Sequence, residues 1–485
     1  MKGFSKKNII FGGAFMAFLT LSSCLFAVDK TASLKASNKI GKPVAQANPI
    51  SANVFCADPT SIEYQGRLYV YGTNDHQQYL NAESNSYEKI KSLVIFSTDD
   101  MVNWTYHGQI NVGKIAPWIM NSWAPSIVSR IEDDGLTHFY LYFSNSGMGV
   151  GVITATNPLG PWTDPRGSAL VYAGMEGLDS PNPFDPGVVI DDFGNGWMAF
   201  GGGVVPGHDD ANPGSAKLVK LGKDMISLDG KFVDLNAPYF FEASEMNYIN
   251  GTYVYTFNHN WQKNPGQCSM AYMTSNAPEV SASWKYKGYY FKNPGEMGFD
   301  YGNNHTHLQK YQGKWYLFFH TQSLCHNLNI KGGFRSLCVN EIKVDEENVV
   351  IKSCTGSHKG VSAIKNFNPF QKVSGSLSYT NAEMSYKNEE SPKDIYAYAT
   401  NSGSWFMVKN VDFADGASKI LAQTEGTGSV EIRLDSVKKK NAAIMELNSS
   451  GTSEGSFAEK VTGVHDLYFI FSDKDAAIKN WRAEK

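Results

Sequence analysis

Three acids in apolar surroundings are the residues of this sequence best placed to do chemistry. Asp58 lies in Phe55-Cys56-Ala57-Asp58-Pro59-Thr60, Asp185 in Pro183-Phe184-Asp185-Pro186-Gly187, and Glu242 in Phe240-Phe241-Glu242-Ala243-Ser244. A charge in such a place costs desolvation energy unless something uses it. One such Asp, taken alone, reads as a turn or Asx cap; three at a matched repeat offset do not. Cleaving a glycosidic bond needs a carboxylic acid to protonate the leaving oxygen and an ionised carboxylate to activate water or attack the anomeric carbon. A third acid can raise the pKa of the proton donor by like-charge repulsion.

The offset comes from a repeat. Turn glycines Gly66, Gly135, Gly194, Gly251 and Gly313 each precede or join an aromatic strand phrase, such as Arg67-Leu68-Tyr69-Val70-Tyr71 or Lys314-Trp315-Tyr316-Leu317-Phe318. Eight or nine residues before them stand Asp58, Ser126, Asp185, Glu242 and His305. A strand repeat of roughly 55–70 residues reads as a radial β architecture, and five copies predict a five-bladed β-propeller over 48–355. In such a ring the innermost strands bring equivalent positions together. The outer phrases around Trp104, Trp162 and Trp284 read as packing between blades.

Composition agrees with an all-β chain of at least two domains: 485 residues, 42% hydrophobic, 13% aromatic and 45 glycines. Only 19% of residues are charged and the net charge is −4, which excludes a nucleic-acid surface. Residues 1–27 read as an export signal, with Lys2, Lys6 and Lys7 before an apolar run too short to span a membrane. Leu21-Ser22-Ser23-Cys24 resembles a bacterial lipobox, so Cys24 is a candidate lipid anchor; cleavage after Ala27 is the alternative. The protein is expected to be secreted or held at the cell surface, and to act as a monomer. Residues 28–47 read as a flexible tether. Cys325 and Cys338 flank a Gly-rich loop and could pair in an oxidising compartment, although five cysteines beyond Cys24 cannot form a complete set.

The periodicity fades near Thr355. Residues 356–375 read as a linker or closing strand, and 376–485 as a β-sandwich (jelly-roll) module of short strands.

The three acidic contexts, with Ser122-Trp123-Ala124-Pro125-Ser126, Gly302-Asn303-Asn304-His305 and Trp315-Tyr316-Leu317-Phe318-Phe319-His320, resemble glycoside hydrolase family 43, most closely its arabinoxylan arabinofuranohydrolases. The likeness implies inversion of configuration, with Asp58 as general base, Glu242 as general acid and Asp185 as pKa modulator. Glu245 is the rival acid. It also implies that Asn304, His305, Arg335 and Trp123 bind substrate, and that His305 stands at the axial bottom of the site, where a hydrated calcium is commonly held. His307 would line the cleft. The sequence departs from the family at Asn182, where a stacking tryptophan is expected, leaving Trp118 or Trp261 as substitutes.

The C-terminal part resembles a family 6 carbohydrate-binding module through Asn381-Ala382-Glu383, Trp405 to Phe413, Gly428 to Asp435 and Thr462 to Phe469. That likeness implies a sugar cleft at Tyr398 and Asn480 and a structural calcium near Glu383. The usual cleft tryptophan is replaced by Ser449-Ser450-Gly451-Thr452-Ser453-Glu454-Gly455. The module either binds xylan or packs on the propeller. Together these features predict an enzyme, needing no cofactor for the reaction, that removes α-L-arabinofuranosyl side chains from plant arabinoxylan. A β-xylosidase or endo-xylanase would use the same acids. A non-catalytic surface glycan-binding protein would not need a paired proton donor and acceptor.

Overall fold

The computed structural model describes residues 33–262 and 266–485. The signal, lipobox and Cys24 expectations fall on residues outside these. The described chain is all-β, with helices of only four to six residues, such as Asp75–Tyr79 and Ser323–Leu328.

Five antiparallel meanders follow one another. They start with strands Ala57–Tyr64, Trp123–Ile131, Gly187–Ile190, Phe240–Ile249 and Thr306–Tyr311. Each of these first strands packs on the first strand of the next sheet, and Thr306–Tyr311 packs back on Ala57–Tyr64. The hairpin turns explain the recurrent glycines. Gln65-Gly66, Asn250-Gly251 and Gln312-Gly313 are two-residue loops with both residues at positive φ (51 and 76°, 47 and 76°, 48 and 77°). This is the mirror-image turn whose twist matches that of the flanking strands.

The sheets are glued face to face by the aromatic phrases. Trp162 meets Tyr71 edge-on between the first two sheets, Trp104 meets Phe318 between the first and fifth, and Trp284 meets Tyr255. All three indoles are buried, as the sequence predicts.

The C-terminal part is a sandwich of a six-stranded and a five-stranded sheet, its core built from side chains such as Phe406, Val430, Ile432, Phe469 and Trp481. It is tied tightly to the rest. Leu377–Ser378 adds an edge strand to the first meander by pairing with Trp104 and Thr105, and the Tyr106 hydroxyl donates to Glu389 at 2.7 Å.

The segment expected as a flexible tether is docked, and the segment expected as a linker or closing strand packs on the sandwich. In 28–47, the described part is docked. The Leu34 N–H donates to Glu431, Ser37 exchanges bonds with Gly403 and Trp405, and Lys42 is fully buried with its Nζ donating to the Ala47 carbonyl. Leu34, Ile40 and Val44 pack against the sandwich, an anchoring too widely spaced to show as periodicity. Residues 356–375 form a strap in which Phe367 enters the sandwich core and Val373–Ser374 pairs with Asn480 and Trp481. The cysteines are a further correction. Cys325 and Cys338 are both free and buried, the Cys325 thiol donating to the Phe334 carbonyl and Cys338 packing near Thr321.

Candidate active site

The repeat positions converge through local irregularity of the first strands. Asp58, Ala124, Asp185 and Ala243 sit at φ of 48, 37, 51 and 62°, where a residue with a Cβ is strained. The ladder slips at three of these places, between Ala57 and Thr60, Trp123 and Ser126, and Phe240 and Glu245. Bulges of this kind re-aim side chains and cluster beside active sites, each strained residue costing about 1–3 kcal/mol. Here they turn Asp58, Asp185 and Glu242 into one cavity of about 110 Å³, shared with Tyr87, Trp123, Phe184, Asn303, His305 and Arg335.

The carboxylates differ sharply in environment. Asp58 is 5% exposed and accepts from Thr73 Oγ1 at 2.7 Å and from Arg335 Nη1 at 2.8 Å. Burial alone would push its carboxyl up. The Arg335 guanidinium instead holds it well below the usual carboxylate range. Asp185 accepts from Ser144 Oγ at 3.2 Å and the Ala243 N–H at 3.0 Å, yet its carboxyl is raised by burial and then by the Asp58 charge. Glu242, partly open to the cavity, is raised for the same two reasons, burial first and then the charges of Asp185 and Asp58. The mouth therefore sets a carboxylate held in its charged form beside two whose charge is disfavoured.

The supporting groups fix this division. The Asp58 N–H donates to His320 Nδ1, and His320 Nε2 lies 2.9 Å from the Asn303 carbonyl, which sets the proton on Nε2. Asp75, fully buried, takes the Arg335 Nε, Nη2 and main-chain N–H at 3.0, 2.9 and 2.9 Å, so one guanidinium bridges Asp58 and Asp75. The ring of Tyr87 lies 4.9 Å from that guanidinium. Asp75 and Tyr87 are site residues that the motifs do not reveal, whereas Phe184, Asn303 and His320 stand within the motif phrases without being expected as site residues.

The remaining expectations divide. Trp123 lines the cavity with its indole N–H on the Tyr87 carbonyl, and Arg335 lines it as the ion-pair partner of two acids. His305 lies 3.7 Å from Asp58 and 3.9 Å from Asp185, with burial pushing its pKa down to about 4. Asn304 does not line the cavity: its amide is spent on the Cys268 and Lys292 carbonyls, and its neighbour Asn303 faces in. Glu245 is buried outside the cavity, its Oε1 3.3 Å from His307 Nδ1, so it is not placed to reach a substrate, and His307 lies with it. Asn182 fits between Gly147 and Gly203, and Trp118 is tied to Asp164, so neither offers a stacking face in the cavity. Among the described residues no three His, Cys, Asp or Glu side chains converge as metal ligands. The Glu383 carbonyl accepts from Thr400 and Ser404, and its carboxylate accepts from the Asn401 amide at 3.0 Å.

In the sandwich, a groove of about 730 Å³ is lined by Tyr396, Lys479 and Asn480 together with Lys372 and Asn388. Tyr398, expected beside Asn480, is not part of it. Tyr398 pairs with Ala477 across the sheet, and Tyr396 lines the groove beside Asn480.

A carboxylate kept charged beside a raised one, in a small mouth, is the pairing that a glycosidase requires. Residues 46–350 match glycosyl hydrolases family 43, and the chain belongs to that family; residues 377–485 match carbohydrate binding module family 6. The chain is 34% identical to the arabinoxylan arabinofuranohydrolase of Bacillus subtilis (strain 168), over 93% of this chain and 94% of that one. It is 31% identical to the arabinoxylan arabinofuranohydrolase of Paenibacillus polymyxa, over 94% of this chain and 76% of that one. The crystal structure of a family 43 arabinoxylan arabinofuranohydrolase from Bacillus subtilis in complex with cellotetraose superposes with a TM-score of 0.84 at 32% identity, covering 94% of this chain and all (100%) of that one.

Proposed function

We propose that this chain is an exo-acting, inverting α-L-arabinofuranosidase that removes single arabinofuranosyl side chains from arabinoxylan, built on a five-bladed propeller. Glu242 gives its proton to the leaving glycosidic oxygen. Asp58 takes a proton from a water that attacks the anomeric carbon from the opposite face, so the sugar leaves with inverted configuration. Asp185 holds Glu242 protonated by its proximity and keeps the mouth polar. Sugar, proton and water are the only reactants, and no cofactor takes part.

The observation that carries this reading is the division of the two carboxylates, Asp58 clamped by Arg335 and Glu242 raised beside Asp185. The cavity of about 110 Å³ is far below the usual size of ligand clefts and suits one small sugar ring rather than a chain. That size favours side-chain removal over the endo-xylanase alternative. Export of the protein to the cell surface, with Cys24 as anchor, completes the proposal. The test is proton NMR of the products from arabinoxylan. Free arabinose appearing first as the β-anomer is expected; xylose, xylo-oligosaccharides or the α-anomer would overturn the reading.

A further inference from the structure

A second chamber adjoins the catalytic cavity. It measures about 180 Å³ and shares Tyr87, Asn303 and Arg335 with it. Its other walls are polar: Asn85, Asp300, Thr321 and Gln322, with His320. Both groups that hold Asp58, Arg335 on its carboxylate and His320 on its main-chain N–H, belong to this wall, whereas Glu242 and Asp185 do not. The reason is topological. The chamber is built by loops of the first and fifth sheets, which carry Asp58, Arg335 and His320. The acid and its modulator come from the fourth and third.

Inversion makes that placement consequential. The attacking water must approach from the base side, opposite the leaving oxygen. A sugar ring filling the 110 Å³ cavity leaves little room there for bulk solvent to pass. The adjoining chamber is large enough to hold several waters, with amide, hydroxyl and carboxylate partners on its walls.

We propose that this chamber stores and delivers the nucleophilic water to Asp58 while the sugar occupies the catalytic cavity. Arg335 and the Tyr87 ring form the sill between the two spaces, and the amides of Asn303 and Gln322 order the water. In the step itself, one O–H of the delivered water gives its proton to Asp58 as its oxygen bonds to the anomeric carbon. The glycosidic C–O bond breaks and Glu242 protonates the departing oxygen. The chamber refills from solvent.

The proposal rests on the inverting reading above, and the experiment separates the two. Gln322→Trp and, independently, Gly302→Leu fill the chamber from two neighbouring positions of its wall. Gly302 has an ordinary φ, and a Cβ there meets only the end of the Gln322 side chain at 3.2 Å, so the backbone tolerates the change. Melting curves establish that each variant folds, and the full-length protein is assayed on p-nitrophenyl α-L-arabinofuranoside and on arabinoxylan. The expected result is a kcat lowered about tenfold or more on both substrates, with KM and inhibition by free L-arabinose unchanged. An unchanged kcat in both folded variants would overturn the proposal. So would a raised KM on arabinoxylan alone, which would make the chamber a sugar subsite. Retention of configuration in the wild type would instead defeat the underlying mechanism.

Discussion

The mouth of the five meanders and the open face of the six-stranded sheet are both antiparallel β surfaces carrying acids, bases and aromatic rings, yet they treat charge in opposite ways. At the mouth, three acids face one another across strained backbone, and a single guanidinium serves Asp58 and is shared with Asp75. On the sandwich, Glu425 accepts from Lys479 at 2.8 Å, Lys387 at 2.9 Å and the Tyr396 hydroxyl at 2.9 Å. The two lysines also lie over the rings of Tyr396 and Tyr398, at 5.1 and 5.3 Å. One surface leaves charge unbalanced and therefore reactive; the other neutralises it and covers its aromatic faces. The contrast separates a place that does chemistry from one that holds the molecule together, although both belong to sugar-handling modules.

The largest effect expected on this contrast comes from the paired acids. Asp58→Ala or Glu242→Ala should lower turnover by about 10²–10⁴-fold or more while leaving the melting temperature close to that of the wild type. A folded variant with substantial activity would remove that residue from its role. Asp75→Asn should follow, because it leaves three Arg335 N–H groups facing a weaker partner and lets the guanidinium shift from Asp58. Displacements of this order cost roughly 10- to 100-fold in kcat. Steady-state kinetics with an unchanged KM would support a positioning role, and an unchanged kcat would exclude it.

Deleting everything after Gly375 tests the sandwich side of the comparison. It removes the edge strand from the first meander and the Tyr106–Glu389 bond, so loss of soluble protein or a melting point lower by on the order of 10 °C is expected. A truncated enzyme with wild-type stability and activity would show that the sandwich is dispensable for packing. The smallest effect belongs to Glu425→Gln. Its two lysines and Tyr396 hold the Glu425 pKa down to about 2, so its contribution is present above the ordinary carboxylate pKa of about 4.3 and is lost as pH falls towards 2. Partial exposure limits that contribution to about 1 kcal/mol or less. Thermal unfolding near pH 6 should therefore shift slightly, and the difference between variant and wild type should vanish near pH 2.

What is legible in the sequence follows from periodicity. Hairpins with an obligatory turn glycine recur, so Asp58, Asp185 and Glu242 align at one offset from the order of residues alone. Asp75 opens a short helix and Tyr87 and Asn303 sit on loops, in connections whose lengths differ between repeats, and no spacing rule points to them. Adjacent residues face opposite ways, which is why the motif points to Asn304 where Asn303 serves. The substitution of Tyr396 for Tyr398 in the sandwich groove reflects strand register, which a single sequence does not specify. The docking of residues 34–47 depends on partners more than 300 positions away, such as Glu431 and Gly403.

The division of the carboxylates is most directly tested by the pH dependence of kcat/KM on a soluble arabinofuranoside, for the wild type and for Asp185→Asn. Activity needs Glu242 protonated, so it should persist above the ordinary carboxylate range and fall only as pH rises through the raised Glu242 pKa. With the Asp185 charge removed, that alkaline limb should move to lower pH. A limb at the pKa of an ordinary glutamate, unmoved by Asp185→Asn, would contradict the account.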